Sequence, residues 1–152
     1  GIVDIFLPDF KYISSEMAAR YSNAPDYPEV AKRALAQMVK QTGDAKFDER
    51  DMMKRGVIVR HLILPGHIKE SKEAIRYLYE TYGDQIYISI MNQYTPMPGI
   101  EKRFKNLGRT ITQKEYDEVV DYAIDLGVEN GFIQEGETAK ESFIPQFDDT
   151  GL

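Results

Sequence analysis

The feature that most constrains the fold is a regular alternation of short apolar runs with amphipathic helical stretches. The clearest run covers residues 57–64 and ends at Pro65-Gly66. An apolar run of this length predicts a strand. Similar runs at residues 2–7, 86–91 and 131–134 predict three more strands.

Amphipathic stretches between these runs predict four helices. The first extends from Ser14 or Ser15 to Tyr21, and the second begins near Asp26. The third covers residues 68–82, and the fourth begins at Thr112. Asp26 with Glu29, and Thr112 with Glu115, fit capping boxes at helix starts. We expect a surface loop at 44–55 and an irregular tail from residue 135 onward.

This alternation predicts an α/β fold in which crossover helices join about four parallel strands. Such strands belong either to an open doubly wound sheet or to part of a β/α barrel. Periodicity alone does not choose between these two architectures, because both use the same strand and helix patterns.

Composition excludes several classes of protein. The 152 residues suggest one domain or a piece of a larger one. The absence of cysteine excludes disulfides and thiolate-held metals within the chain. A net charge of -6 argues against nucleic-acid binding. The sequence shows no membrane-length apolar run and no signal-peptide pattern, so we expect a cytoplasmic protein.

The first residues suggest that the chain is a fragment. It opens on Gly1 and enters an apolar strand pattern at once, and a strand buried on both faces normally has neighbours at both edges. The alternative is a processed chain that begins on an edge strand.

Two charged residues follow the first predicted strand. Ligands of parallel α/β folds bind at the carboxyl ends of the strands, and Asp9 and Lys11 lie at such an end. Being two residues apart, they point the same way on an extended chain. They could hold a small polar ligand, or they could form a surface ion pair.

The second predicted strand carries Arg60 and His61 within its apolar run. A buried guanidinium is costly unless it is paired. Arg60 therefore either meets a carboxylate of the protein or receives an anionic ligand. We expect His61 to be a core histidine whose hydrogen bonds are satisfied.

Polar residues also follow the third and fourth strands, where they could orient a ligand or cap a loop: Asn92, Gln93, Gln134 and Glu135. A phosphate loop at 131–138 is rejected, because Glu137 stands where a lysine is needed. His67 and Glu70 lie three residues apart, but with only two histidines in the chain we expect no metal site.

Four strings in order resemble the activating enzymes of pyruvate formate-lyase, and the closest resemblance is to their activating-enzyme-like branch. They are DIFLPDFKY at 4–12, GVIVRHLILPGH at 56–67, IYISIMNQYTPMP at 86–98 and ENGFIQEG at 129–136. The resemblance covers nearly the whole chain. It implies the C-terminal portion of a partial, TIM-like β/α barrel, with residues 1–152 as a single fragment and the cluster-binding N-terminal part missing.

The resemblance also implies an activity. Members of this family are radical-SAM oxidoreductases, in which a 4Fe-4S cluster cleaves S-adenosylmethionine reductively to a 5′-deoxyadenosyl radical that abstracts a hydrogen atom. The partner is a glycyl-radical enzyme or another protein substrate. The family's cysteine motif is absent here, so this chain by itself is expected to be inactive and to carry neither catalytic nor metal-binding residues.

The cofactor contacts that the resemblance implies are placed residue by residue. Asp9 and Lys11, with Phe10 between them, match the family's Asp-x-Lys contacts to S-adenosylmethionine, and Arg60 matches a strand arginine near it. The family has a histidine after a tyrosine in the next loop. Here Thr95 follows Tyr94, and Asn92 or Gln93 is expected to serve instead.

Two other hypotheses remain. The chain could be a stand-alone α/β module that binds a small ligand or has a regulatory role, without redox chemistry. It could also be part of a lyase that uses Lys11 as a Schiff-base amine. Asp9 argues against the lyase, because a neighbouring carboxylate raises the pKa of a lysine that this chemistry needs lowered.

Overall fold

A computed structural model describes residues 4–135 and 140–143. The strands are β1 (Asp4–Phe6), β2 (Lys46–Phe47), β3 (Met53–Leu62), β4 (Tyr87–Met91), β5 (Gly131–Glu135) and β6 (Lys140–Phe143). The helices are α1 (Ser15–Ser22), α2 (Tyr27–Thr42), α3 (Ile68–Tyr82), the short α4 (Ile100–Arg103) and α5 (Gln113–Leu126).

The strands form one sheet in the order β1-β3-β4-β5-β6, and β2 pairs with the start of β3. Strands β1, β3, β4 and β5 are parallel, whereas β2 and β6 run antiparallel to their neighbours. The predicted α/β fold with about four parallel strands is therefore confirmed.

The parallel strands follow one another across the sheet in chain order. When successive parallel strands are added in one direction and every crossover has the same hand, the connecting helices all lie on one face of the sheet. A doubly wound sheet instead reverses its strand order at a switch point. The four described parallel strands show no such reversal, so this part of the sheet is singly wound.

The core lies between the sheet and its helices. Alternate residues of β3, Val57, Val59 and His61, are 0–1% exposed, and Ile88 and Ile90 of β4 continue the same layer. Helix residues complete the core: Leu35, Ile75, Leu78, Tyr116, Val119 and Ala123. Burial of such apolar surface contributes about 25 cal/mol per Å² to stability.

The opposite face of the sheet is less buried than the sequence predicts. Ile58, Arg60 and Leu62 of β3 are only half-buried, and Leu7, just after β1, is 55% exposed. The prediction that the strand of residues 2–7 is buried on both faces is therefore wrong for the described residues. An apolar run reports hydrophobicity, but it does not report how many layers cover the sheet.

Three local predictions are also corrected. Residues 44–55 contain β2 and the start of β3, and the tail from residue 135 contains β6, so neither is entirely irregular. Asp26 is the N-cap residue of α2, but its side chain makes no capping hydrogen bond. Its backbone is already helical, with ψ at -3°, whereas a capping side chain needs an extended backbone.

The other helix boundaries agree closely with the sequence. Thr112 and Glu115 form the predicted capping box at the start of α5, and Gly127 ends that helix with φ at 112°. In the described ranges, no helix combines the length and the apolar character needed to cross a bilayer. The residues before Asp4, between β5 and β6, and after Phe143 lie outside the description.

Candidate functional site

A pocket of about 280 Å³ opens at the carboxyl ends of β1 and β3. Three of the residues that line it are charged, Asp9, Lys11 and Arg60. The remaining walls are aromatic or apolar, from Tyr12, Leu62, Leu64, Met91 and Tyr94. The pocket thus combines a few converging polar groups with an apolar lining, as small-molecule sites do.

Backbone pairing places Asp9 beside Arg60. The Arg60 N–H donates to the Pro8 carbonyl, and the Phe10 N–H donates to the Arg60 carbonyl, each at 2.8 Å. This parallel bridge extends the pairing of β1 and β3 beyond Phe6. Asp9 and Lys11 consequently line the same pocket, as their spacing of two predicts.

The hydroxyl of Tyr27 forms two hydrogen bonds with the backbone of the Asp9–Lys11 segment. It donates to the Asp9 carbonyl and accepts from the Lys11 N–H, both at 3.0 Å. Burial raises the pKa of Tyr27, and the negative charge of Asp9 raises it further. The phenol therefore keeps its proton at neutral pH, and the donation to Asp9 persists.

The ion pair between Arg60 and Asp9 answers the question that the sequence left open. Arg60 Nε lies 2.8 Å from Asp9 Oδ1, so the guanidinium meets a carboxylate of the protein. The two side chains are 42% and 47% exposed, which makes the pair accessible to a ligand. The Lys11 ammonium forms no ion pair with any described residue. Because the Arg60–Asp9 pair is neutral overall, Lys11 leaves the three groups with one positive charge.

His61 lies on the opposite face and is structural. It is 1% exposed, with Nδ1 2.8 Å from the Phe10 carbonyl and Nε2 2.8 Å from the Ser71 hydroxyl. A carbonyl only accepts, so Nδ1 donates the proton and Nε2 accepts from Ser71. Burial lowers the pKa of His61, which keeps the ring neutral. The prediction of a satisfied core histidine is confirmed.

Other predicted contact residues do not line this pocket. The ring of Phe10 is 1% exposed and stacks on Tyr77 in the core. The Asn92 N–H donates to Gln134 Oε1 at 2.6 Å, so Gln134 serves as a loop cap. Gln93 is exposed outside the pocket lining, and the side chain of Glu135 lies outside the description.

Several lining residues were not selected from the sequence, and strand alternation could have found some of them. Leu62 and Leu64 follow Arg60 at steps of two, so they share its face on an extended chain. Met91 is paired in register with Leu62. Tyr12 and Tyr94 show no such signal, because their positions depend on hydrogen bonds to Ser22 and to the Leu107 carbonyl.

Within the described residues, no group of three or more metal-ligating side chains is present. Glu70 instead accepts from the Ile13 and Ser14 N–H groups at 2.7 and 3.0 Å. His67 Nε2 lies 2.7 Å from the Tyr21 hydroxyl. Both side chains therefore tie loops at the carboxyl edge of the sheet.

Comparison with known proteins adds one relative. The fold and the cavity define an α/β protein with a pocket at the carboxyl ends of its parallel strands. The chain is 28% identical over 123 residues to an uncharacterized protein of Methanocaldococcus jannaschii. The matched region covers 81% of this chain and 32% of that protein. The chain thus spans about a third of that relative's length. No family model and no solved structure matches it.

Proposed function

We propose that this chain is the C-terminal part of a radical-SAM enzyme resembling the activating enzymes of pyruvate formate-lyase, and that its pocket binds S-adenosylmethionine. The observation that carries the proposal is the convergence of Asp9, Lys11 and Arg60 on one pocket. The sequence resemblance assigns these three residues to cofactor contacts. Asp9 and Arg60 are 51 residues apart in the sequence, yet they meet in the pocket.

The chemistry of the pocket suits a zwitterionic nucleoside. The carboxylate of Asp9 would accept hydrogen bonds from ribose hydroxyls or from an ammonium group, and the free ammonium of Lys11 would bind a carboxylate or a hydroxyl. Leu62, Leu64 and Met91 offer an apolar wall for a purine. Arg60 would orient Asp9 through their ion pair.

The topology supports the barrel part of the proposal. Four parallel strands in sequential order, with their helices on one face, are what a segment of a β/α barrel contains. The half-buried face of β3, with Ile58, Arg60 and Leu62, would then face the barrel interior. The chain would be a fragment whose missing N-terminal part completes that interior.

The chain contains no cysteine and therefore cannot supply thiolates to a 4Fe-4S cluster. In this proposal the cluster, which supplies the electron for reductive cleavage of S-adenosylmethionine, is held by another part of a longer protein. This chain contributes binding and orientation. The hydrogen donor would be a glycyl-radical enzyme or another protein substrate, and a cytoplasmic location belongs to the same proposal.

The test uses the full-length protein, prepared without oxygen. We expect S-adenosylmethionine to bind, and 5′-deoxyadenosine to form when a reductant is added. Asp9→Asn and Lys11→Met should each weaken binding about tenfold, because each removes a charge-assisted hydrogen bond. Lys54→Met, an exposed lysine outside the pocket lining, is the matched control.

Equal affinity in all variants would remove the assignment of the pocket. Tight binding without 5′-deoxyadenosine would favour the second candidate, a stand-alone α/β binding or regulatory module. One observation favours that module: the chain has no cysteine, so it supplies no thiolate to a cluster by itself.

A further inference from the structure

A cationic cluster lies at the same edge of the sheet as the pocket. It consists of Arg20 on α1 with Lys102, Arg103 and Lys105 in and after α4, all exposed. The whole chain carries a net charge of -6, so this concentration of positive charge is local. We call these four residues the cationic rim.

Aromatic stacking rather than ion pairing holds the two arginines. The guanidinium carbon of Arg103 lies 5.3 Å from the centre of the Phe104 ring, and that of Arg20 lies 6.0 Å from the same centre. Arg20 also lies 5.3 Å from the ring centre of Tyr21. A guanidinium stacked on a ring keeps its N–H edge free for an anion.

The two arginines form no ion pair within the described part of the chain, although Glu16 lies one helical turn before Arg20 and Glu101 two residues before Arg103. The described ion pairs of the chain involve other residues. Arg109, the next cation along the chain, differs in this respect because it pairs with Glu115 at 2.7 Å.

The platform beneath the rim is fixed. Tyr21 and Phe104 meet edge to face with ring centres 4.8 Å apart. The Tyr21 hydroxyl lies 2.7 Å from His67 Nε2, and Asn106 Nδ2 lies 3.0 Å from the same nitrogen. Residues from three separate segments thus hold the two rings, so Arg20 and Arg103 start from a pre-organised base.

The rim adjoins the pocket. Tyr94, which lines the pocket, donates its hydroxyl to the Leu107 carbonyl at 2.8 Å, and Leu107 follows the rim within two residues of Lys105. This hydrogen bond therefore joins the segment that carries the rim to a wall of the pocket.

We propose that the cationic rim binds the phosphate group of a small phosphorylated ligand, at the same edge of the sheet as the pocket. Two guanidinium forks and two ammonium groups match a dianion with several acceptor oxygens better than they match a single carboxylate. This inference goes beyond the proposed function, because it adds a site for a small anionic ligand that the proposed function does not include.

The test measures binding of inorganic phosphate to the full-length protein at low ionic strength by titration calorimetry. We expect saturable binding that Arg20→Gln/Arg103→Gln weakens about tenfold or more, since it removes two charge-assisted contacts. The control Arg33→Gln/Arg50→Gln removes the same charge from exposed sites elsewhere and should change the affinity less than about twofold.

A second variant leaves the aromatic platform untouched. Lys102→Gln/Lys105→Gln should weaken phosphate binding by a smaller factor while preserving the far-ultraviolet circular dichroism. Absence of saturable binding to the unchanged protein, or equal losses in the variants and the control, would overturn the proposal. A glutamate-rich peptide that binds at the rim and is not displaced by phosphate would also overturn it, in favour of an acidic protein partner.

The same titrations with S-adenosylmethionine separate this inference from the proposed function. If the rim variants bind S-adenosylmethionine normally and the unchanged protein does not bind phosphate, only the rim assignment fails. If phosphate binds at the rim but S-adenosylmethionine does not bind the pocket, the proposed function fails and the rim remains an anion site.

Discussion

At the scale of single residues, His61 and Arg60 show how neighbours on one strand acquire opposite roles. Strand alternation directs His61 toward the helices, where the Phe10 carbonyl and Ser71 hydroxyl satisfy both ring nitrogens. It directs Arg60 to the other face, where it pairs with Asp9 and lines the pocket. His61 thus hydrogen-bonds the Asp9–Lys11 segment on the helix side of the sheet, and Arg60 forms an ion pair with it on the pocket side.

His61→Leu should lower the free energy of unfolding by about 2–4 kcal/mol, because it leaves the Phe10 carbonyl and the Ser71 hydroxyl buried without their partner. Urea denaturation at pH 7 measures the change. The same substitution at the half-buried His67 is the matched control and should cost less. Equal losses at the two histidines would contradict the structural role of His61.

The pH dependence of stability follows from the same burial. Burial lowers the pKa of His61 in the folded chain, whereas the unfolded chain takes up the proton near pH 6.5. Below about pH 6.5 the unfolded state binds more protons, so stability falls as the pH falls toward the folded-state value. Denaturation curves between pH 7 and 5 should show a shallower decline in His61→Leu.

At the scale of elements, Glu115 connects the start of α5 to two loops. The Arg109 guanidinium donates to both of its oxygens and, together with the N–H groups of Thr112 and Gly66, lowers the pKa of Glu115 to about 2. The side chain is only 13% exposed. One carboxylate therefore caps the helix and fixes the turn that follows β3.

Glu115→Gln should lower the free energy of unfolding by about 1–2 kcal/mol at pH 7, since it weakens several charge-assisted hydrogen bonds at a partly exposed site. The stabilisation by the native carboxylate is complete above its ordinary pKa of 4.5 and is lost as the pH falls toward 2. The variant should therefore show a flatter acid limb in denaturation curves.

Glu118→Gln is the control, because Glu118 pairs with Lys72 at 3.1 Å on a more exposed part of the same helix. We expect a loss below about 1 kcal/mol. A loss at Glu118 as large as that at Glu115 would show that the network around Gly66 and Thr112 adds nothing.

At the scale of the whole molecule, two surfaces of the sheet lack a cover among the described residues. The outer edge of β1 has no partner strand there, and one face of β3 is only half-buried. A free strand edge beside apolar surface favours association between chains.

The 152-residue chain by itself should therefore self-associate with rising concentration, as sedimentation velocity would show. Leu7→Lys, at a position 55% exposed just after β1, should reduce the association, because a charge beside the edge opposes pairing. Met97→Lys, at a position 72% exposed in the loop between β4 and α4, is the control. A chain that stays monomeric at all concentrations would contradict this prediction.

Local patterns determined a large part of this protein. Continuous apolar runs located the parallel strands, amphipathic stretches located the main helices, and the capping box at Thr112 marked a helix start. Alternation also predicted that Asp9 and Lys11 share a face. These features depend on residues only a few positions apart, so a single sequence is enough to predict them.

Tertiary structure alone decided the rest. The pairing of Arg60 with Asp9, across 51 positions, depends on the register between β1 and β3, which local patterns do not encode. The entry of Tyr94 into the pocket depends on its hydrogen bond to Leu107, and the grouping of Arg20 with Arg103 depends on packing around Phe104. Such contacts form only when distant segments pack together, which is why periodicity and spacing did not reveal them.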